Sequence, residues 1–512
     1  VTRQDLANDI WRACDIMRRD NNCGGILEYI EHLSWLLFLR FLEVEEETFE
    51  AEAAIASRPY VRILEDDYRW SRWAARGADV HGLLVSLWQK ERGEADPQKV
   101  EAILARDRRH ELIIYAEDFL FPYLRSLKGS PEREAIGSIF ADMRGVVMDS
   151  GYNLRDVLDI IDAIDFRNTD DIHTVSFVYE DLLKRMGSEN RVAGEFYTPR
   201  PVIRFMVQMV DPKIKQTVYD PACGSAGFLV ESYLHMKETQ RTARDHKTLQ
   251  GRTFYGQEKK PLPALLGLIN MVLHGVLTPN ISRRNTLEEN IRDVSERFDV
   301  ILTNPPFGGR ENRQIQRNFP VQGQATELLF LQHIMKKLKQ GGRCGVVVPE
   351  GIMFRGEAFA AVKKELLENF DLHTIVSLPP GVFAPYSSIS TNLLFFDRRG
   401  PTKQVWFYEL LPPEGTRGYT KTRTIQDSHF DDCRCKWQAR EISEVSWIEP
   451  VEQLARRGYD LTARNPARNH TVNHRSPTEL ADSILAKEKE IARLMTRLRV
   501  LVREMDENSD AR

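Results

Sequence analysis

The sequence predicts an α/β protein: a doubly wound, mainly parallel sheet, preceded by an all-α region and followed by a heptad helix. Three observations carry that expectation. Residues 217–396 alternate short apolar runs with amphipathic stretches, the pattern of successive strand–helix–strand units. Residues 1–165 show helical periodicity and no strand-like alternation. Leu480, Ile484, Ile491, Leu494, Leu498, Leu501 and Met505 recur at spacings of three and four, with Lys487 interrupting, which is a heptad seam.

A chain of 512 residues exceeds what one ordinary core encloses. The expected division is a helical interaction region over 1–165, the α/β domain over 166–400, a mixed tail region over 401–475 and a coiled-coil helix for subunit docking over 476–512. A content of 42% hydrophobic and 29% charged residues is that of a soluble globular protein. No apolar run approaches membrane-spanning length and no signal peptide is visible, so a cytoplasmic protein without a membrane partner is expected. The six cysteines form no disulfide framework, and Cys433-Arg434-Cys435 lacks a second pair at zinc spacing, so no metal is expected. The net charge of −4 places any DNA affinity in a local patch or on a partner.

In the first region, Ile26, Leu27, Ile30, Leu33, Leu37 and Phe41 recur at helical spacing. With Trp35, Leu36, Phe38 and Leu39 the helix is apolar nearly all round, which predicts burial in a bundle. The acidic stretch 43–50 reads as a solvated face. Residues 171–186 read as a helix leading to Gly194-Glu195-Phe196-Tyr197-Thr198-Pro199-Arg200-Pro201, where Thr198 reads as a helix N-cap and Pro199 as its first residue.

The α/β domain opens with a strand at 217–220, the turn Pro221-Ala222-Cys223-Gly224-Ser225-Ala226-Gly227-Phe228, and a helix from about Leu229. A glycine turn between strand and helix holds a polar ligand against backbone N–H groups. Neither phosphate-binding glycine string is present, and Asp220 at the strand end would attract a cation such as an amino or sulfonium group. The next strand, 253–258, ends on Glu258, placed as a carboxylate that binds a ribose diol. A helix over 262–277 follows, and Asn285 is a candidate contact to a cofactor base.

The strand 298–303 runs into Asn304-Pro305-Pro306-Phe307. Two prolines remove two ladder donors and stiffen the chain into an elbow at the C-terminal end of a parallel strand, where open α/β sheets bind ligands. The Asn304 amide oxygen and the Pro305 carbonyl could accept from a planar amine, and Phe307 could stack on its ring. Accepting both hydrogens turns the nitrogen lone pair out of conjugation. Beyond the elbow, 308–324 reads as a polar mobile loop with Arg310, Arg313 and Arg317 available to phosphates. A helix at 327–338, strands at 344–348 and 373–378, a helix at 358–367 and a last strand at 392–396 complete a parallel sheet with an antiparallel edge. Residues 476–479 offer a capping box for the heptad helix.

Taken together, Gly194 to Arg200, Asp220 to Phe228, Glu258 and Asn304 to Phe307 resemble, in order, the motifs of N6-adenine DNA methyltransferases. The closer resemblance is to the modification (M) subunit of type I restriction-modification systems. It extends through Thr326-Glu327-Leu328-Leu329-Phe330, Val348-Pro349-Glu350-Gly351 and Leu378-Pro379-Pro380-Gly381-Val382-Phe383. The resemblance implies a Rossmann-like methyltransferase sheet and S-adenosyl-L-methionine as cofactor. Glu195, Phe196, Tyr197, Thr198, Pro199 and Arg200 with Gly224, Ser225, Ala226 and Gly227 would line the cofactor site. Asp220 would lie near the methionine part, Glu258 on the ribose and Asn285 on the base. Asn304, Pro305, Pro306 and Phe307 would be catalytic, acting on an adenine flipped out of double-stranded DNA. It also implies a separate specificity (S) subunit that chooses the sequence, a second M subunit beside it, and a restriction (R) subunit. Two alternatives use the same elbow or fold: methylation of a protein glutamine or RNA amine, and a non-catalytic scaffold binding DNA or a partner.

Overall fold

The computed structural model describes residues 3–167, 198–276, 279–384, 389–467 and 487–499, with 24, 56, 58, 95 and 142 excepted and 175–176, 178–179, 181–182 and 485 added. Val1–Asn465 form one compact unit and Pro466–Arg512 a second.

The N-terminal part of the first unit is helical. Its helices include Arg3–Arg19, Ile26–Ile55, Val80–Arg92 and Gly151–Asp162. Local chemistry starts several of them. Asp79 accepts from the Gly82 N–H, Asp96 precedes Pro97 at a first turn, and Ser130 and Ser150 cap the helices behind them. The helix Ile26–Ile55 is buried around most of its girth, and Trp35 meets Trp73 and Phe121 with ring centroids 6.4 and 5.3 Å apart. This core continues into the helix Pro261–Leu273, whose Leu265, Leu266 and Ile269 belong to it.

The acidic stretch departs from expectation. Glu43 and Glu46 are buried, not solvated. Ser71 Oγ donates to Glu43 at 2.7 Å, while Glu46 accepts from the Ile63 N–H and from Tyr60 Oη. Such partners are what makes a buried carboxylate tolerable, and burial raises the pKa of Glu46 above its usual range. The ligand residues are scattered over 60–71, so nothing in the local sequence announces them.

The sheet has nine strands: β1 (Val218–Asp220), β2 (Phe254–Glu258), β3 (Asn280–Arg283), β4 (Phe298–Thr303), β5 (Leu338–Pro349), β6 (Asp371–Ser377), β7 (Thr391–Asp397), β8 (Gln404–Glu409) and β9 (Ser446–Pro450). Their order is β3-β2-β1-β4-β5-β7-β6-β8-β9. All are parallel except β7, which lies reversed between β5 and β6, and β9, which pairs reversed with β8 at the edge. Three expectations are corrected here. The strand at 392–396 is interior rather than last; its nearly unbroken burial is that of a strand covered on both faces. Two further strands, β8 and β9, come from 401–475 and extend the same sheet. And β5 begins at Leu338, six residues before 344, because residues 339–342 bulge between the pairs Phe298↔Leu338 and Val300↔Arg343.

The helix start near Thr198 is also corrected. The helix runs Arg200–Val210 with Pro199 as its N-cap, and no side chain caps it. The expected helix at 171–186 falls mostly outside the described residues. In the second unit, residues 487–499 are helical, and Ile491, Leu494 and Leu498 are exposed. Leu480, Ile484, Leu501 and Met505 lie outside the described residues, as does the 476–479 capping box. No described helix is long and apolar enough to cross a membrane.

Candidate active site

The loops after β1, β2 and β4 leave one edge of the sheet and enclose a cavity of about 270 Å³. Asp220 ends β1 and is 1% exposed. Thr303, the last residue of β4, donates to its Oδ1 at 2.6 Å, and the Ala222 N–H donates to the same oxygen at 3.1 Å. No lysine or arginine pairs with it among the described residues. Burial pushes its pKa up to about 7 against those two hydrogen bonds.

The turn after Asp220 is held by groups from three elements. Gly224 and Ala226 take left-handed conformations at φ 50° and 59°, which folds the chain back on itself. Thr286 Oγ1 donates to the Pro221 carbonyl at 2.6 Å, and Asn270 Nδ2 donates to the Ser225 carbonyl at 2.7 Å. Gly267 allows the helix Pro261–Leu273 to approach, since a Cβ there would lie 2.8 Å from the Gly224 carbonyl oxygen. Gly267→Val is accordingly expected to displace the turn and destabilise the protein by about 1–3 kcal/mol, a penalty typical of overpacking. Thermal unfolding measures the loss, with circular dichroism confirming the fold.

Glu258 ends β2 and is also buried. One carboxylate oxygen accepts the Gly224 N–H at 3.1 Å and the other the Lys260 N–H at 2.9 Å. The residue therefore braces the glycine turn besides facing the cavity. Asn285 lines the cavity, but its amide is engaged locally: Oδ1 accepts the Leu287 N–H at 3.2 Å and Nδ2 donates to Glu288 at 3.3 Å.

At the elbow, Asn304 Nδ2 donates to Thr198 Oγ1 at 2.9 Å. This is the bond that occupies the hydroxyl expected to cap the helix. The Asn304 Oδ1 is buried with no hydrogen-bond partner among the described residues. Phe307 is half-buried beside Phe383, ring centroids 6.5 Å apart and nearly perpendicular.

Of the residues singled out from the sequence, the cavity is lined by Thr198, Arg200, Asp220, Gly224, Ser225, Gly227, Glu258, Asn285, Asn304, Pro306 and Phe307, and by Arg310 of the loop beyond the elbow. Pro199, Ala226 and Pro305 lie outside that lining, and Glu195, Phe196 and Tyr197 lie outside the described residues. Sequence reasoning overlooked Thr303, Thr286, Asn270 and Gly267. Asn270 had a visible signal, a lone amide in the apolar run Leu268-Ile269-Asn270-Met271-Val272. Thr303 and Thr286 carried none, because their partners are distant in the chain.

This sheet and cavity belong to a chain that the family models assign to the DNA methylases, enzymes that take their methyl group from S-adenosylmethionine. Residues 170–475 match the family model of the N-6 DNA methylases, and residues 6–161 that of the HsdM N-terminal domain. The methylase subunit of the type I restriction enzyme EcoEI from Escherichia coli is 37% identical over 500 residues, 95% of each chain. A chain from a structural study of assembly and conformational transition in a type I restriction-modification system is 55% identical, with a TM-score of 0.79 over 98% of this chain and 99% of that one. A crystal structure from Vibrio vulnificus YJ016, provisionally described as a type I modification subunit, is 38% identical, with a TM-score of 0.74 over 91% and 97%. The chain belongs to the N-6 DNA methylase family, among the methylase subunits of type I restriction-modification systems. It is an adenine-specific DNA methyltransferase, N6 being the exocyclic amine of adenine.

The residues present suit the cofactor. Two buried carboxylates, Asp220 and Glu258, line the cavity and could accept a positive group and hydroxyl donors from a ligand. In the turn between them Gly224 takes a left-handed φ of 50°, and at Gly227 a Cβ would lie 2.7 Å from Ile203 Cδ1.

Proposed function

We propose that this chain is the catalytic subunit of a type I complex and methylates N6 of an adenine flipped out of double-stranded DNA. Sequence choice rests with a separate specificity subunit. The observation that carries the reading is the buried Asn304 Oδ1, which has no partner among the described residues. A buried acceptor without a donor costs stability, about 1–3 kcal/mol, unless a ligand supplies the hydrogen. The exocyclic amine of adenine is such a donor.

Thr198 fixes the Asn304 amide so that Oδ1 faces the amine. Phe307 stacks on the purine, and the Pro305 carbonyl accepts the second amine hydrogen. Both hydrogens being held, the nitrogen lone pair leaves conjugation with the ring and becomes nucleophilic. S-adenosylmethionine, when bound, supplies an electrophilic methyl group. Asp220 holds its positive end, Glu258 its ribose, and the Gly224–Gly227 turn with Thr198 and Arg200 closes around it. No general base is required before transfer, since the amine becomes acidic only afterwards. Most of the rate advantage is then positioning.

The partners follow from kinship with subunits of type I complexes: a specificity subunit, a second methylase subunit and a restriction subunit, with duplex DNA as substrate. The apolar positions exposed on the 487–499 helix suit docking to the specificity subunit. A cytoplasmic location accords with these roles. The test is transfer of labelled methyl from the cofactor to DNA, with and without a co-expressed specificity subunit. Labelling of DNA that depends on the specificity subunit is expected; labelling of protein or RNA but not DNA would overturn the reading.

A further inference from the structure

Residues 401–475 contribute more than two strands. The strand β8 is parallel to β6, so its C-terminal end reaches the sheet edge on which the cavity opens. The chain leaves β8 there and forms the loop Thr416-Arg417-Gly418-Tyr419-Thr420-Lys421-Thr422-Arg423-Thr424. That loop carries three cations and no anion in a chain whose net charge is −4.

The loop is fixed to the segment that carries Phe383. The Tyr419 N–H donates to the Pro380 carbonyl at 2.9 Å. The two backbones cross so closely that a Cβ on Gly418 would lie 2.4 Å from the Pro380 oxygen, and one on Gly381 2.1 Å from the Tyr419 oxygen. Gly381 also has φ +79°, which favours glycine independently. Phe383, two residues on, is the ring that abuts Phe307 at the elbow. The tip is ordered too: Thr420 and Arg423 exchange backbone hydrogen bonds of 3.0 and 3.2 Å, with Lys421 and Thr422 at the turn.

Arg417, Lys421 and Arg423 are exposed, and none forms an ion pair among the described residues. Nearby cations are treated differently. Arg434 and Lys436 are paired with Asp431 and Asp432, and Arg204 with Asp427. Three cations without ion pairs among the described residues, on a turn pinned to the Phe383 segment, form a surface for a polyanion. A flexible run of the same composition would have to be ordered on binding; this one is already in place.

We infer that the loop over residues 416–424 is a phosphate-contacting surface that holds the DNA backbone beside the extruded adenine. The inference rests on the proposed DNA methylation and adds where this acidic chain grips its substrate. Because the contacts are to phosphates, they contribute affinity and register without reading sequence.

The test is the salt dependence of duplex binding by the full chain complexed with a specificity subunit, comparing wild type with Arg417→Gln/Lys421→Gln/Arg423→Gln. Each phosphate contact contributes about 0.9 to the slope of log affinity against log salt, so the triple variant is expected to lose about 2–3 from that slope. Its DNA affinity near 0.15 M salt falls about tenfold or more, while thermal unfolding, S-adenosylmethionine affinity and subunit assembly are unchanged. An unchanged slope and affinity would overturn the inference. So would loss of specificity-subunit assembly with DNA affinity retained, which would assign the loop to a protein partner. A wild-type complex that methylates no DNA would instead sink the proposed function itself.

Discussion

Replacing Asn304 by alanine is expected to lower methyl transfer to DNA by about two to three orders of magnitude while leaving S-adenosylmethionine affinity within about twofold. The magnitude is that of removing one pre-aimed polar group from a catalytic centre. The asymmetry between the two readouts follows from the geometry. Among the described residues the Asn304 side chain makes one hydrogen bond, through Nδ2 to Thr198, and its buried Oδ1 has no partner. Neither atom supports the glycine turn, which hangs on Asn270, Thr286 and Glu258. The loss should therefore fall on kcat in single-turnover transfer with labelled cofactor, and calorimetry should report intact cofactor binding. Equal loss in both measurements would mean that the elbow collapses without the amide.

The second large effect is a pH dependence centred on Asp220. In the ligand-free enzyme burial raises its pKa from 3.8 to about 7. Below pH 7 the carboxyl is mostly neutral, and a cationic cofactor must drive a proton off it to gain the charge interaction. Affinity is thus expected to rise about tenfold per pH unit up to pH 7 and to level off above it. At pH 6 binding should release a proton, visible as a calorimetric enthalpy that changes with the ionisation heat of the buffer; at pH 8.5 that dependence should vanish. The same shift acts on folding with its own sign. Between pH 3.8 and 7 the folded state retains a proton that the unfolded state has lost, so this group makes the ligand-free protein less stable as pH rises through the window. The accumulated cost is on the order of 4 kcal/mol and is complete above pH 7. Asp220→Asn removes both dependences. It should bind cofactor weakly at every pH and unfold with a flatter pH profile; cofactor affinity unaffected by Asp220→Asn would refute the assignment.

Much of the fold was legible because burial leaves a pattern in the chain. The strands β1, β2, β4 and β6 are short apolar runs bounded by turn residues, and each was read within a residue or two. β3 went unread because an edge strand of sequence Asn280-Ile281-Ser282-Arg283 has almost no apolar content. β8, with Val405-Trp406-Phe407-Tyr408, did have the pattern, but residues 410–426 after it are loop, and the helix that follows, Asp431–Trp437, is too short to show a clear period. The place of β7 between β5 and β6 is a matter of long-range pairing, which the local pattern does not encode. The site divides the same way. Residues bearing chemistry sit at the tips of strands and are visible as motifs. Thr303, which holds Asp220, is an ordinary threonine 83 residues from its partner; Thr198 stood in a motif, but its bond to Asn304, 106 residues away, did not.

The helix Pro261–Leu273 has a bearing on modularity. Every residue from Pro263 to Leu273 is buried. One side, through Leu265, Leu266 and Ile269, completes the N-terminal helical core, while Gly267 and Asn270 support the cofactor turn. A segment with no face left to solvent belongs to both layers and can be inherited only with both. Cutting the sheet away from residues 1–167 would strip this helix of half its packing and leave a broad apolar patch next to the turn. The chemistry here is therefore not a transplantable cassette. An excised sheet would have to be resurfaced along this helix before it could be expected to bind its cofactor, and the natural boundary for swapping parts lies after Asn465 rather than before Arg200.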